Sequence, residues 1–237
     1  MTATYAVHEA VATVTLDDGK VNALSPAMQS AIGAALDQAE TDIAAGTVKA
    51  VVLAGNERVL SGGFDLSVFA SGDEKAGHGM LSGGFELAIR LLRFPAPVVI
   101  AATGPAIAMG SFLLLSGDHR VGSAKSRCQA NEVAIGMTLP VAALEIMRMR
   151  LTPPAFSRAV SVAAVFAGDA AIDAGWLDEI VEREAVLARA QEVAAEYAAT
   201  LHLKAHVASK AKARGAAIAA IQAGIDGLAA EFKMSLG

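Results

Sequence analysis

Pro97-Val98-Val99-Ile100-Ala101-Ala102-Thr103-Gly104-Pro105-Ala106-Ile107-Ala108-Met109-Gly110-Ser111 occupies the middle of an uncharged segment that runs from Phe94 to Gly117. Its length suits a membrane span, but Pro95, Pro97, Gly104, Pro105 and Gly110 interrupt it. A lipid-facing helix has no water to satisfy the backbone groups that such breakers free. Split at Thr103-Gly104-Pro105, the segment reads as a short buried strand, a turn and a buried helix over Ala106 to Ser116. This predicts an α/β protein that does not enter a membrane.

The flanks extend the same alternation. Tyr5 to Glu9 and Val11 to Leu16 predict a pair of strands ended by Asp17-Asp18-Gly19. Ser25-Pro26 predicts a helix start with Ser25 as N-cap, and Met28, Ile32, Ala35, Leu36 and Ala39 recur at helical spacing behind it. Ala50 to Gly55 is a continuous apolar run of the kind found in parallel strands covered on both faces. Ser71 to Gly84 reads as a loose, mobile stretch, and Phe85 to Phe94 as a helix stopped by Pro95-Ala96-Pro97. Strand, helix, strand, helix, strand, helix implies α/β crossovers. From Ala155 onward the signal is almost wholly helical, and the Ala-rich stretch after Glu184 is expected to pack against something else, such as another subunit. The chain divides into a core over 1–185 and a C-terminal helical region over 186–237.

Composition excludes several classes of function. Over 237 residues, 54% are hydrophobic and 18% charged, which is too apolar for disorder. A net charge of −5 without a basic cluster argues against nucleic acid as a partner. Cys128 is the only cysteine, so neither an intrachain disulfide nor a cysteine zinc site can form. No basic stretch followed by an apolar one opens the chain, and a cytoplasmic location is expected. His202 and His206, four apart, would share a helical face that could hold a metal, but no Glu beside the first His and no third ligand accompany them. No metal is expected.

Two Gly-containing strand-to-helix turns carry more chemistry. Leu60-Ser61-Gly62-Gly63-Phe64-Asp65-Leu66 and Thr103 to Ser111 each follow a buried strand and open a helix. Each therefore offers unpaired backbone N–H groups at a positive helix end. Converging, they would form an oxyanion hole; otherwise they are tight packing turns. Arg127-Cys128-Gln129-Ala130-Asn131-Glu132-Val133-Ala134-Ile135-Gly136-Met137 adds one carboxylate in apolar company. Such a Glu has its pKa raised by burial and can shuttle a proton, or it offsets a helix dipole. Asp65 reads as a helix cap, Asp118 and Arg120 as a structural pair, and Cys128 as a small core residue.

These segments, in this order, resemble the crotonase superfamily, the enoyl-CoA hydratase/isomerase family. Lys20-Val21-Asn22-Ala23-Leu24-Ser25 resembles its N-A-L loop, and Ala50 to Leu66 its "VVLxG…FSAGxDL" segment. Gly104 to Gly110, continuing to Asp118-His119-Arg120, resembles "G-x-A-x-G-G-G…D-x-R". Asn131-Glu132 through Gly136 resembles "P/N-E-x-x-x-G", and Ala170 to Val181 resembles "A-x-x-x-G-L-V-D-x-V".

The resemblance implies a ββα spiral with two roughly perpendicular sheets and a C-terminal helical region that builds trimers or dimers of trimers. It implies an acyl-CoA thioester substrate and no separate cofactor, CoA being part of the substrate. The family's oxyanion donors fall on the backbone N–H groups of Phe64 and Met109. Its substrate-contacting positions fall on Ala23, Leu24, Ser61, Gly63, Asp65, Leu66, Phe112 and Asn131.

Two carboxylates serve the family's hydratases. One matches Glu132, but the other matches Phe112, which cannot carry a proton. A single-Glu site resembles that of the Δ3,Δ2-enoyl-CoA isomerases, with Glu132 as the proton shuttle. A 2-enoyl-CoA hydratase of fatty-acid β-oxidation and a silent acyl-CoA-binding protein are the alternatives.

Overall fold

The computed structural model describes residues 2–235, with side chains described through Glu231. The last two residues of the predicted C-terminal region, Leu236 and Gly237, lie outside the described residues. β1 (Ala3–His8) and β2 (Val11–Leu16) form the expected antiparallel pair. α1 (Pro26–Ala44) follows, and Ser25 Oγ accepts from Met28 N at 3.2 Å as its cap. β3 (Ala50–Ala54), α2 (Leu66–Ala70), α3 (Glu74–Arg93) and β4 (Val98–Ala102) come next. β5 (Ala106–Ile107), α4 (Met109–Ser116), β6 (His119–Gly122) and β7 (Cys128–Gln129) lead into a 3-10 turn over Glu132–Ile135. The chain continues through α5 (Val141–Arg150), α6 (Pro153–Val162), α7 (Asp169–Ala174), β8 (Glu179–Ile180), α8 (Val186–Thr200) and α9 (Leu203–Ser235).

The strands form a six-stranded sheet, β1-β2-β3-β4-β6-β8, and a two-stranded sheet, β5-β7. Every pairing of these strands after β1–β2 is parallel, which needs long crossover connections rather than tight hairpins. Period-two alternation divides the central strands between two cores. Val51, Leu53, Val98, Ile100 and Ala102 face the large core with α1, α3 and α4. Ala50, Val52, Ala54, Val99 and Ala101 face Val186, Ala190, Val193 and Ala194 of α8. Burial on both faces is why these strands read as unbroken apolar runs. The small side chains of α8 cover this chain's own sheet, and α9 packs on α3 and α5. No helix among the described residues is long and apolar enough to cross a membrane.

Three expectations need correction. The stretch from Ser71 to Gly84 is helical for most of its length: α3 begins at Glu74, capped by Asp73 Oδ1 accepting from Ala76 N at 3.0 Å. Its glycines hid the helix; Gly84 is required because a Cβ there would lie 2.6 Å from the Phe64 ring. The buried helix after Thr103 starts at Met109, because Ala106 and Ile107 pair with β7 instead. Asp118 and Arg120 are not partners. Asp118 binds Lys210 and Arg214 of α9, each at 2.7 Å, while Arg120 binds Asp178 at 2.7 Å.

Burial works to raise the Asp118 pKa, but Lys210 and Arg214 outweigh it and hold the carboxyl below its ordinary value. Asp118→Ala would strand buried Lys210 and half-buried Arg214, so we expect a loss of about 3–5 kcal/mol, read from the urea midpoint. With its folded pKa depressed, the Asp118 contribution is present above the unfolded pKa and is lost as pH falls through the folded one.

Candidate active site

The β3 and β4 ends deliver their two loops to one point. Ile107 N donates to Ser61 O at 3.0 Å, Leu60 N donates to Pro105 O at 3.0 Å, and Ser61 bridges Ala106 as a parallel pair. Buried Asn22 secures the outer side, donating to Leu16 O and Leu60 O, and its own carbonyl accepts Ser61 Oγ at 2.7 Å. Gly63, whose φ is +95°, lies at this contact. A Cβ at Gly63 would lie 2.9 Å from Ala108 Cβ, 3.0 Å from Ile107 O and 3.6 Å from Met109 N.

Where the loops meet, two donors are unspent. Among the described residues neither Phe64 N–H nor Met109 N–H donates a hydrogen bond to the protein. Ala108, the N-cap of α4, has no side-chain cap, so the positive helix end stays open. Ala108 adopts φ +47° and ψ −124°, a region that normally belongs to glycine. Backbone strain held there stores on the order of 1–3 kcal/mol. At the other end, Arg150 satisfies the last carbonyls of α4, donating from Nε to Leu115 O at 3.0 Å and from Nη2 to Gly117 O. Burial, helped by nearby Arg120 and Arg214, pushes the Arg150 pKa down to about 10, which leaves it charged at neutral pH.

β7 carries the carboxylate to the same place. Ala106 N and Ala108 N donate to Arg127 O and Gln129 O, each at 2.9 Å, so the chain emerging from β7 runs beside the α4 N-terminus. The 3-10 turn then closes through Gly136, at φ +82°, and Met137 N donates to Glu132 O at 2.9 Å. Glu132 is only 8% exposed, and its Oε2 has no partner among the described residues. Burial pushes its pKa up to about 7, offset only in part by its own backbone N–H. Asn131 is the N-cap residue of this turn yet makes no cap bond, and its Oδ1 is likewise buried and unpartnered.

Both side chains line a cavity of about 860 Å³. Phe64, Phe69, Phe85 and Phe112 form its aromatic wall, half of the chain's eight phenylalanines. Phe112 stacks on Phe85 at 5.9 Å, Phe85 meets Phe64 edge-on at 6.3 Å, and Phe64 meets Phe69 edge-on at 6.2 Å.

Of the positions singled out from sequence, Ala23, Asp65, Leu66, Phe64, Phe112, Asn131 and Glu132 line the cavity. Leu24, Ser61, Gly63 and Met109 lie behind it. Leu24 and Met109 have buried side chains, Leu24 N donates to Gly63 O at 2.8 Å, and Ser61 Oγ is used on Asn22. Their part in the site is to hold the backbone. Asp65 is the α2 cap, accepting Ser67 N at 3.0 Å. Buried Cys128 has its thiol pKa pushed up to about 12, as suits a core residue. His206 sits 3.9 Å from Asp118, and no metal cluster occurs among the described residues.

Sequence reasoning missed Leu81 and Phe85 on α3, and Leu228 and Glu231 on α9, which complete the walls. The signal existed on α3, where Glu74, Gly77, Leu81 and Phe85 fall on one helical face, but it was masked by reading that stretch as loose.

An apolar cavity with a buried acid of raised pKa beside two unpaired N–H donors can bind a carbonyl, stabilise its oxyanion and move a proton. Parallel β/α crossovers arranged around such a site define an enzyme of the crotonase class. The chain belongs to the enoyl-CoA hydratase/isomerase family, whose profile matches residues 6–234. It is 52% identical to a probable enoyl-CoA hydratase of Mycobacterium tuberculosis H37Rv, with a TM-score of 0.96 over 99% of this chain and 98% of that one. A second structure of that mycobacterial protein, described as an enoyl-CoA isomerase, gives 52% identity and a TM-score of 0.92 over 97% of this chain and 98% of that one. A probable enoyl-CoA hydratase of Bacillus subtilis is 27% identical over 81% of this chain and 74% of its own length. The human peroxisomal bifunctional enzyme is 31% identical over 76% of this chain, which spans only 24% of that longer protein.

Proposed function

We propose that this enzyme shifts the double bond of a 3-enoyl-CoA to give the 2-enoyl-CoA. The observation that carries the proposal is the pairing of Glu132 with an aromatic wall. Glu132 is the only buried carboxylate lining the cavity among the described residues, and Phe112 matches the other acid/base position of the family's hydratases. Hydration needs a water to be held, deprotonated and its proton delivered, which one carboxylate beside stacked phenyl rings does poorly. Isomerisation needs one base. Ionised Glu132 takes a proton from C2, and the electrons move into the thioester to form a dienolate. The N–H groups of Phe64 and Met109, with the α4 dipole, stabilise the oxygen that becomes negative. Glu132 then returns the same proton to C4, the C3–C4 double bond becomes C2–C3, and the carboxylate is regenerated.

No electron or group leaves the substrate, so the reaction calls for no redox cofactor. Asn131 and the cavity-lining Ala23, Asp65 and Leu66 are proposed to contact the acyl-CoA. We further propose a cytoplasmic homotrimer or dimer of trimers.

The test is a panel of 3-enoyl- and 2-enoyl-CoA thioesters with wild type and Glu132→Gln. The expected result is formation of conjugated-thioester absorbance from the 3-enoyl substrates, abolished in the variant. Hydration of crotonyl-CoA faster than isomerisation would make the enzyme a hydratase. Tight binding without turnover of either class would make it a binding protein.

A further inference from the structure

Gly84 lies in the interior of α3, where the side chains of both oxyanion-loop residues reach it. A Cβ there would lie 2.6 and 2.7 Å from Cε1 and Cζ of Phe64 and 3.2 Å from Cγ of Met109. Glycine weakens a helix interior relative to alanine, so a buried one has its reason in packing. Gly79 supplies the contrast: it is exposed on the same helix, and a Cβ there would meet nothing within 4 Å. Gly84 stands two turns along α3 from Gly77 and beside Leu81 and Phe85, all three of which line the cavity.

The Phe64 ring therefore borders the cavity and rests on bare helix backbone. Its other neighbours hold it in that place. Phe69 and Phe85 meet it edge-on, at 6.2 and 6.3 Å between centroids, and Met109 packs as a buried side chain beside the same glycine. The backbone is pinned one residue earlier, where Gly63 N donates to Ser61 Oγ at 3.1 Å and Gly63 O accepts Leu24 N at 2.8 Å. With backbone and flanks fixed, a ring pushed off Gly84 has the cavity as its open direction.

We propose that Gly84 is the seat of the Phe64 ring, and that this seat sets the width of the passage by which an acyl chain leaves the oxyanion site. The inference rests on the reading that the Phe64 and Met109 N–H groups hold the oxygen of an acyl-CoA thioester. Ring and donor belong to one residue, so an acyl group held there has its first carbons beside the ring. An acetyl group ends at that point, whereas a longer chain must pass. Carbon atoms pack at about 3.5–4.0 Å, so a methyl group at position 84 drives the ring tip roughly 1 Å toward the chain. A close-packed wall transmits such a shift and does not absorb it. Gly84 itself touches no substrate; it is a positioning residue that acts through Phe64.

The test is calorimetric titration of the full chain with acetyl-CoA and decanoyl-CoA, neither of which has a double bond to shift. Gly84→Ala is expected to lower the decanoyl-to-acetyl affinity ratio about tenfold or more, through weaker decanoyl binding, with acetyl-CoA affinity kept within about twofold. Gly84→Ala/Phe64→Leu is expected to return the ratio to within about threefold of wild type, because Leu lacks the Cε1 and Cζ atoms that the added methyl meets. Gly79→Ala is expected to leave the ratio unchanged. An unchanged ratio in Gly84→Ala overturns the proposal. So does a loss that Phe64→Leu fails to relieve, which would mark general damage to α3. Should Gly84→Ala fail to fold, Phe64→Leu alone decides. It vacates the seat and widens the passage, so the affinity ratio of branched 4-methylpentanoyl-CoA to hexanoyl-CoA is expected to rise about threefold or more, and no rise overturns the proposal. If the wild type binds none of these thioesters, the acyl-CoA reading falls first and the proposal with it. Because none of the ligands can isomerise, absence of isomerase turnover leaves the result standing.

Discussion

On the proposed isomerisation, Glu132→Gln is expected to lower kcat by roughly 10²–10⁴-fold while leaving the protein folded and able to bind acyl-CoA. Gln fills the same volume at the start of the 3-10 turn but cannot accept a proton from C2. The wild-type pH profile follows from the carboxyl pKa near 7, which burial produces. The base must be ionised, so kcat/KM should rise about tenfold per unit up to roughly pH 7 and level off above it. The same shift has a stability consequence of opposite sense. A carboxyl whose folded pKa is raised stabilises the fold fully below the unfolded value, here 4.5, and that contribution is lost as pH rises through about 7. Glu132→Gln is therefore expected to be more stable than wild type at pH 8 by about 3 kcal/mol, the two converging toward pH 4.5. Urea midpoints at the two pH values and initial rates from pH 5 to 9 check both. Unchanged turnover in the variant would remove Glu132 from the mechanism.

Gly63→Ala is expected to cost on the order of 10²-fold in kcat/KM, although residue 63 neither lines the cavity nor carries a functional group. Its Cβ would lie 2.9 Å from Ala108 Cβ and 3.0 Å from Ile107 O, and the backbone there is at φ +95°. Both loops would have to part, and the N–H groups of Phe64 and Met109 lie on the two sides of that contact. An oxyanion hole tolerates little displacement, because its donors act by being fixed before charge develops. A destabilisation of about 1–3 kcal/mol should accompany the loss. The diagnostic is which constant changes. On the proposed reaction the donors act on the dienolate more than on the bound thioester, so kcat should fall while KM changes little. A variant that is merely less stable, with normal kcat below its melting temperature, would place the oxyanion donors elsewhere.

Legibility differed along the chain for physical reasons. Local rules sufficed for α1, where the Ser25 cap and apolar spacing fix start and face, and for β3 and β4, whose burial on both sides removes any polar alternation. They failed at α3. A helix with Gly77, Gly79, Gly83 and Gly84 looks like a loop until the Phe64 ring beside Gly84 is in view. They failed also at Asp118, whose partners Lys210 and Arg214 lie more than ninety residues away on α9.

By itself the sequence determined the α/β crossover order and the family. Each is written in residue identity and in order along the chain. Tertiary structure alone decided that Phe64 joins Phe69, Phe85 and Phe112 in one wall, that α9 lines the cavity with Leu228 and Glu231, and that Glu132 is raised to a pKa near 7. Those properties depend on what surrounds a side chain after distant segments have met. Desolvation and contact are set by the packed environment, and spacing along the chain does not encode it.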